Sequence, residues 1–234
     1  MKQSLFIRFF ISLSFLCSSA IVFAQGDSQG LRNAYDFDYI YKLKMTHKKD
    51  DIIFDYYLKK DADYFGFDIA SMTQSQEGMK MFTIMDNANA ITGVFMEVMG
   101  KKIVKSSKIK LDDFTDEAEN SDYSFTKTDS KTILGYHCDG FIGENKDAKV
   151  TFYVTNEAPV SFSKMWDNGK TKLPKGFNPA WMTKFSENAL MMEMHYVDKK
   201  KDKNNMTMEC IGVEETNFSL QTSEYGSMFG GLGN

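Results

Sequence analysis

The sequence predicts a mainly β fold: one strongly curved antiparallel sheet, a half-barrel of about eleven strands, with short helices covering its concave face. Three observations predict it. Apolar and polar residues alternate with period two in run after run, which is the signature of strands with one buried side. Helix-spaced apolar residues are confined to one stretch, residues 159–187. A sheet of about eleven strands curls or closes, because every strand adds its own right-handed twist.

In chain order, Lys2 and Arg8 flank the start of an apolar run, Phe9 to Phe23, that is short for a bilayer span. Residues 1–24 read as a secretory signal peptide, with Val22 and Ala24 as the small residues before a cut near Ala24. The mature chain is then expected in the periplasm or secreted, with no transmembrane span. Cleavage removes two cations and no acid, moving the formal net charge from −4 to −6, which disfavours a nucleic-acid partner. Residues 25–223 contain no Pro-, Gly- or Ser-rich linker and read as a single domain.

The first strand is "DFDYIYKLKM", where Phe37, Tyr39, Tyr41, Leu43 and Met45 share one face and Asp36, Asp38, Lys42 and Lys44 the other. "IIFDYYLK" repeats the scheme with Ile52, Phe54, Tyr56 and Leu58, and "YFGFDI" with Phe65, Phe67 and Ile69. Together they read as a meander. Further strands are expected near 80–86, 91–98, 102–107, 123–127, 136–142, 149–155, 190–197 and 206–213. Pro159 opens a helical pattern with Phe162, Met165 and Trp166 at i, i+3 and i+4. Asn178 and Pro179 open a second, with Trp181, Met182 and Phe185 as its stripe. Residues 224–234 read as a flexible Gly-rich tail.

Chemistry-bearing motifs are few. The acidic segment "LDDFTDEAENSD" lacks the spacing of a calcium loop and reads as solvated, as does the lysine run at 199–203. No nucleophile elbow, zinc-protease helix, phosphate loop or dinucleotide glycine pattern occurs, so an enzyme is not expected and no cofactor is implied. His137 beside Cys138 is no dyad, because neighbours on a strand face opposite ways. After cleavage Cys138 and Cys210 remain, a candidate disulfide in an oxidising compartment or else two buried thiols.

"GYHCDGF" at 135–141, "VTFYVTNEAP" at 150–159 and "MDNANAITGVFMEVMGKK" at 85–102 resemble the motifs of an uncharacterised secreted bacterial family carrying a DUF4412-type domain of unknown function. That family is similar in layout to periplasmic lipoprotein carriers of the LolA type. The resemblance implies that residues 25–223 form a LolA-like half-barrel, closed by helices over a hydrophobic cavity. It implies, more weakly, an apolar ligand or a lipoprotein client.

The stretch "LMMEMHYVDKKKDKNNMTMECIGVEE" offers a choice between a soft-metal site and apolar lining. As a hairpin with Met194 opposite Met208, it puts Met192, Met194, Met208 and Cys210 on one face and Glu193 and His195 on the other. The pleat separates His from Met, so a copper site would reduce to those three Met and Cys210. Methionines spread along the whole chain favour lining instead. The expected binding residues are Phe37, Tyr39, Tyr41, Phe54, Tyr56, Phe67, Met192, Met194 and Met208 from the sheet, with Trp166 and Trp181 from the helices. The function expected is a non-catalytic envelope protein holding a lipid, acyl chain or lipoprotein. The alternatives are a Met/Cys copper binder and an interaction protein with a fully packed core.

Overall fold

The computed structural model of the chain describes residues 30–48, 50–68, 79–109, 123–161 and 188–227. Alternating sequence becomes strand throughout: β1 (Ala34–His47), β2 (Asp50–Leu58), β3 (Tyr64–Asp68), β4 (Met79–Asp86), β5 (Ile91–Val98), β6 (Lys101–Lys108), β7 (Ser124–Ile133), β8 (Tyr136–Glu144), β9 (Ala148–Thr155), β10 (Leu190–Asp198), β11 (Met206–Gln221) and β12 (Gly226–Ser227). They form one sheet in the order β12-β6-β5-β4-β3-β2-β1-β11-β10-β9-β8-β7. Its outer strands do not pair with each other, so it is not closed into a barrel. Two meanders, β2 to β6 and β7 to β10, are joined by the long central pair of β1 and β11, whose register runs from Ala34↔Gln221 to His47↔Met206.

Two strands run further than their alternation promised. β11 continues through Glu214 and Glu215 because β1 supplies its ladder, with an irregularity between Phe37 and Tyr39 that shifts the register. β7 continues to Ile133 past a similar irregularity between Thr128 and Lys131. Residues 224–227, expected within the tail, pack against β5 and β6. Glu224 is paired with Lys102, Tyr225 packs on Phe95 with ring centroids 5.0 Å apart, and Gly226 and Ser227 lie parallel to Ile103 and Val104 as β12.

Both faces of the sheet contribute to the core, which is the mark of its curvature. Tyr35, Phe37 and Leu220, at one end of the central pair, pack with Tyr64, Ile84, Phe95 and Val104. By register those four lie on the side of β3 to β6 opposite Phe67 and Val94. On the other side, Tyr41, Leu43, Leu58 and Phe65 share a cluster with Cys138, Val160, Leu190 and Met192. Cys138 on β8 and Cys210 on β11 belong to that one cluster although β9 and β10 separate their strands, a gap of about 14 Å in a flat sheet. A third cluster joins Val150, Phe152, Val154, Ala189 and Met194.

Short helices over the concave face are not borne out. The helical turns among the described residues are two three-residue 3-10 segments, Asp202–Asn204 and Thr222–Glu224, and neither covers the sheet. Pro159 and Val160 sit in a bend, and Val160 turns into the core at 4% exposure instead of starting a helical stripe. Pro159 donates no backbone hydrogen bond and pushes Ala158 toward extended backbone, which suits a bend. Trp166 and Trp181 lie outside the described residues, as do the acidic segment 111–122 and Gly-rich residues 228–234. Among the described residues no helix is long and apolar enough to cross a membrane.

Candidate ligand-binding face

Register fixes which side chains share a side of β1 to β6. One row runs Tyr41, Tyr56, Phe67, Thr83, Val94, Lys105 across six strands. A neighbouring row holds Leu58, Phe65, Met85, Thr92 and Ser107, and on the other flank lie Phe54, Met81, Met96 and Ile103. This is the apolar face. The opposite, charged face carries Lys42, Lys44, Asp55, Asp68, Lys80, Glu97 and Lys102, and its lysines are largely in ion pairs, such as Lys42 with Glu214 and Lys44 with Glu209.

Among the described residues only part of the apolar face has packing over it. Tyr41, Leu43, Leu58 and Phe65 are fully buried beneath the packing of Leu190, Met192 and Val160. Phe54, Tyr56, Phe67, Met81, Met85, Val94, Met96 and Ile103 stay half-buried, and Val98 at the end of β5 is exposed. The aromatic members touch one another: Tyr56 lies 6.1 Å from both Phe54 and Phe67, centroid to centroid. Burial in this cluster pushes the Tyr56 hydroxyl up to about 12 and the Tyr41 hydroxyl well above its usual value. Tyr41 is further fixed by donating to the Met191 carbonyl at 2.5 Å.

The residues expected from sequence divide among three places. Tyr41 and Met192 are in the first cluster, with Tyr39, Phe54, Tyr56, Phe67 and Met208 packed against it. Tyr39 also borders a shallow, mostly polar groove with Asp38, Glu215, Thr216 and Asn217. Phe37 is buried in the second cluster against Tyr57, Tyr64 and Phe82. Met194 is buried in the third, between Met208 and Phe152 in the ladder. The hairpin register Met194↔Met208 is the one parity required, but an irregularity between Met191 and Glu193 takes Met192 out of that series. Met192, Met194, Met208 and Cys210 therefore do not meet in one cluster. Met81, Met85 and Met96 fall among the methionines read from sequence as lining without being assigned to this face, and Val94 and Ile103 were not singled out for it. Carrying the alternation through the turns at 87–90 and 99–100 would have found them.

Cys138 and Cys210 are buried free thiols, donating to the carbonyls of Tyr136 at 3.3 Å and Gly212 at 3.5 Å. Burial raises both, Cys210 to about 11. Away from the apolar face, Glu193 accepts from Lys131 at 2.5 Å and contacts His195 at 2.6 Å, and Lys131 lies 4.0 Å over the Tyr153 ring. Desolvation pushes the Glu193 carboxyl up, but Lys131 and His195 outweigh it and hold it below its usual value.

No curated protein matches the sequence. Among solved structures, PNGF-II in the C2 space group is similar over 82% of this chain and 30% of its own, at 11% identity and a TM-score of 0.40. The chain thus spans about a third of the length of PNGF-II. A DUF1329 family protein from Desulfovibrio piger is similar over 77% of this chain and 86% of its own, at 4% identity and a TM-score of 0.20. At those scores neither likeness bears on function. The family model described as "Domain of unknown function (DUF4412)" matches residues 37–224, from β1 through the Thr222–Glu224 turn, and on that match the chain belongs to this family.

Proposed function

We propose that the protein is a non-catalytic binding protein of the cell envelope, exported by its leader, which seats the hydrocarbon of a lipid, acyl chain or lipoprotein on the apolar face of β2 to β6. One observation carries the reading: aromatic and Met side chains across β2 to β5, continued by Ile103 on β6, remain half-buried while Tyr41, Leu43, Leu58 and Phe65 are buried beneath other described residues. A contiguous apolar surface of that kind marks an interaction site rather than an ordinary exterior. Each methylene laid on it gains about 0.8 kcal/mol, so a chain of ten or so methylenes supplies enough to offset the cost of ordering the ligand.

The test uses delipidated protein and a fluorescent fatty acid. Phe67→Asp puts a carboxylate that must be desolvated on the face, and it should weaken saturable uptake at least tenfold. Ile53→Asp, on the charged face and already 41% exposed, should leave uptake within twofold. Far-UV circular dichroism of both variants confirms that the sheet is retained. Absence of saturable uptake by the wild type, or equal losses in the two variants, would overturn the reading. Mass spectrometry of an organic extract of the native protein, with metal analysis alongside, separates a bound lipid from copper held by Met and Cys.

A further inference from the structure

We infer that the ligand is an amphiphile with an anionic head, a carboxylate or a phosphate, and that Lys101 and Lys105 on strand β6 receive this head while the hydrocarbon lies along the apolar face. The inference rests on the binding reading above and names the class of ligand for the same face.

Charge is distributed unevenly between the two sides of β1 to β6. Apart from Asp50 beside the first turn, the charged residues that register places on the apolar face are Lys101, opposite Val98, and Lys105, opposite Val94. All the other acids and lysines of these strands belong to the charged face. In a chain with 32 acids against 28 Lys and Arg, the charges that register places on this face over β3 to β6 are both positive, and Asp50 stands four strands away on β2. The two lysines are also unengaged: both are exposed, and neither makes an ion pair among the described residues. Their neighbour Lys102, turned to the charged face, is held by Glu224 and lies 5.5 Å from the Tyr225 ring.

Lysines near a sheet edge also discourage strand addition, and on β6, which is edged by the two-residue β12, Lys102 and Lys108 on the charged side already do that. Guarding the edge does not explain why two more stand on the apolar side, separated by Ile103. Four residues of strand put their Cα atoms about 13 Å apart, within the combined reach of two four-carbon stems. The stems lie along apolar surface and the ammonium groups emerge at its margin, as amphipathic side chains do. A chain lying from Val94 and Met96 toward Phe67 and Tyr56 would leave its head between them.

Binding of oleate, of oleyl phosphate and of neutral oleyl alcohol to delipidated protein at pH 8 tests this. The wild type should prefer both anions to the alcohol by at least tenfold, and the ratio of oleate to oleyl phosphate tells which head the site favours. The double variant Lys101→Gln, Lys105→Gln should lose that preference while binding the alcohol as the wild type does. Lys80→Gln, a loss of one positive charge on the charged face, should change nothing, and added salt should weaken only the anions. Equal wild-type affinity for anion and alcohol, or an unchanged preference in the double variant, overturns the inference and leaves the apolar-face reading standing. Failure of the wild type to bind any of the three overturns both.

Discussion

Asp86 is 0% exposed, and its carboxylate is kept there by what surrounds it. Arg32 Nε donates to it at 2.8 Å, Asn89 donates from backbone and side chain, and the Tyr35 hydroxyl lies 3.3 Å away. Burial alone would raise this carboxyl, yet the hydrogen bonds from Arg32 and Asn89 hold it below its usual value. Its contribution to stability is therefore present above the ordinary carboxylate range and fades as pH falls through the depressed folded value. Arg32→Met strands the buried charge, and because water reaches the half-exposed Arg32 site the loss should be about 2–3 kcal/mol by urea melt, below the full cost of breaking a buried pair. Nothing in the sequence links positions 54 apart, so this contact was not legible there. The thiols yield a second residue-scale expectation. Cys210 ionises near 9 when unfolded and about 11 when folded, so its contribution to stability is full below about 9 and is lost between about 9 and about 11, roughly 2–3 kcal/mol in all. Native protein at pH 7 should resist alkylation at Cys138 and Cys210, while unfolded, unreduced protein should label both; labelling of neither would mean a bridge.

Among the elements, the hairpins were the most legible and their tips the least. Period two located every strand from β1 to β11, and the Met194↔Met208 register followed from parity alone. The two-residue turns of β5–β6 and β7–β8 are of the kind with both central residues at positive φ: Met99 at 51° with Gly100 at 75°, and Leu134 at 51° with Gly135 at 86°. Asn-Gly is the favoured pair there, because Asn tolerates the left-handed region that costs a bulkier side chain about 1 kcal/mol or more. Met99 is 94% exposed and Leu134 53%, so neither recovers that cost by packing. Leu134→Asn should accordingly stabilise by about 0.5–1 kcal/mol and raise the melting temperature by about 2 °C in a calorimetric scan. A lower melting temperature would show that Leu134 makes contacts that exposure alone does not reveal. Of the expected helical stretch only its opening, Pro159 to Ser161, lies among the described residues, and there the sheet's core claims Val160.

For the whole molecule, sequence alternation identified buried sides strand by strand, but it did not say how a twelve-stranded sheet bends. Phe37 and Tyr56 are both inward residues by parity, yet they pack in different clusters because the central pair leaves one side of the sheet and folds over the other. The candidate face was thus half legible: Phe54, Tyr56 and Phe67 belong to it, while Phe37 and Met194 are structural. The central pair has a consequence in time as well as in space. β2 to β6 and β7 to β10 are each built from neighbours in the chain, but the pairing of β1 with β11 joins Ala34 to Gln221. Closing so long a loop adds little to the equilibrium cost, since that grows only with the logarithm of length, but contacts of high sequence separation form slowly. As the chain folds during synthesis the first strand therefore waits, its Tyr and Phe row unpaired on the β11 side, until nearly the whole chain has been made. The interval in which this chain is most open to capture, by chaperone, lipid or another copy, is set by how fast its final quarter follows the rest.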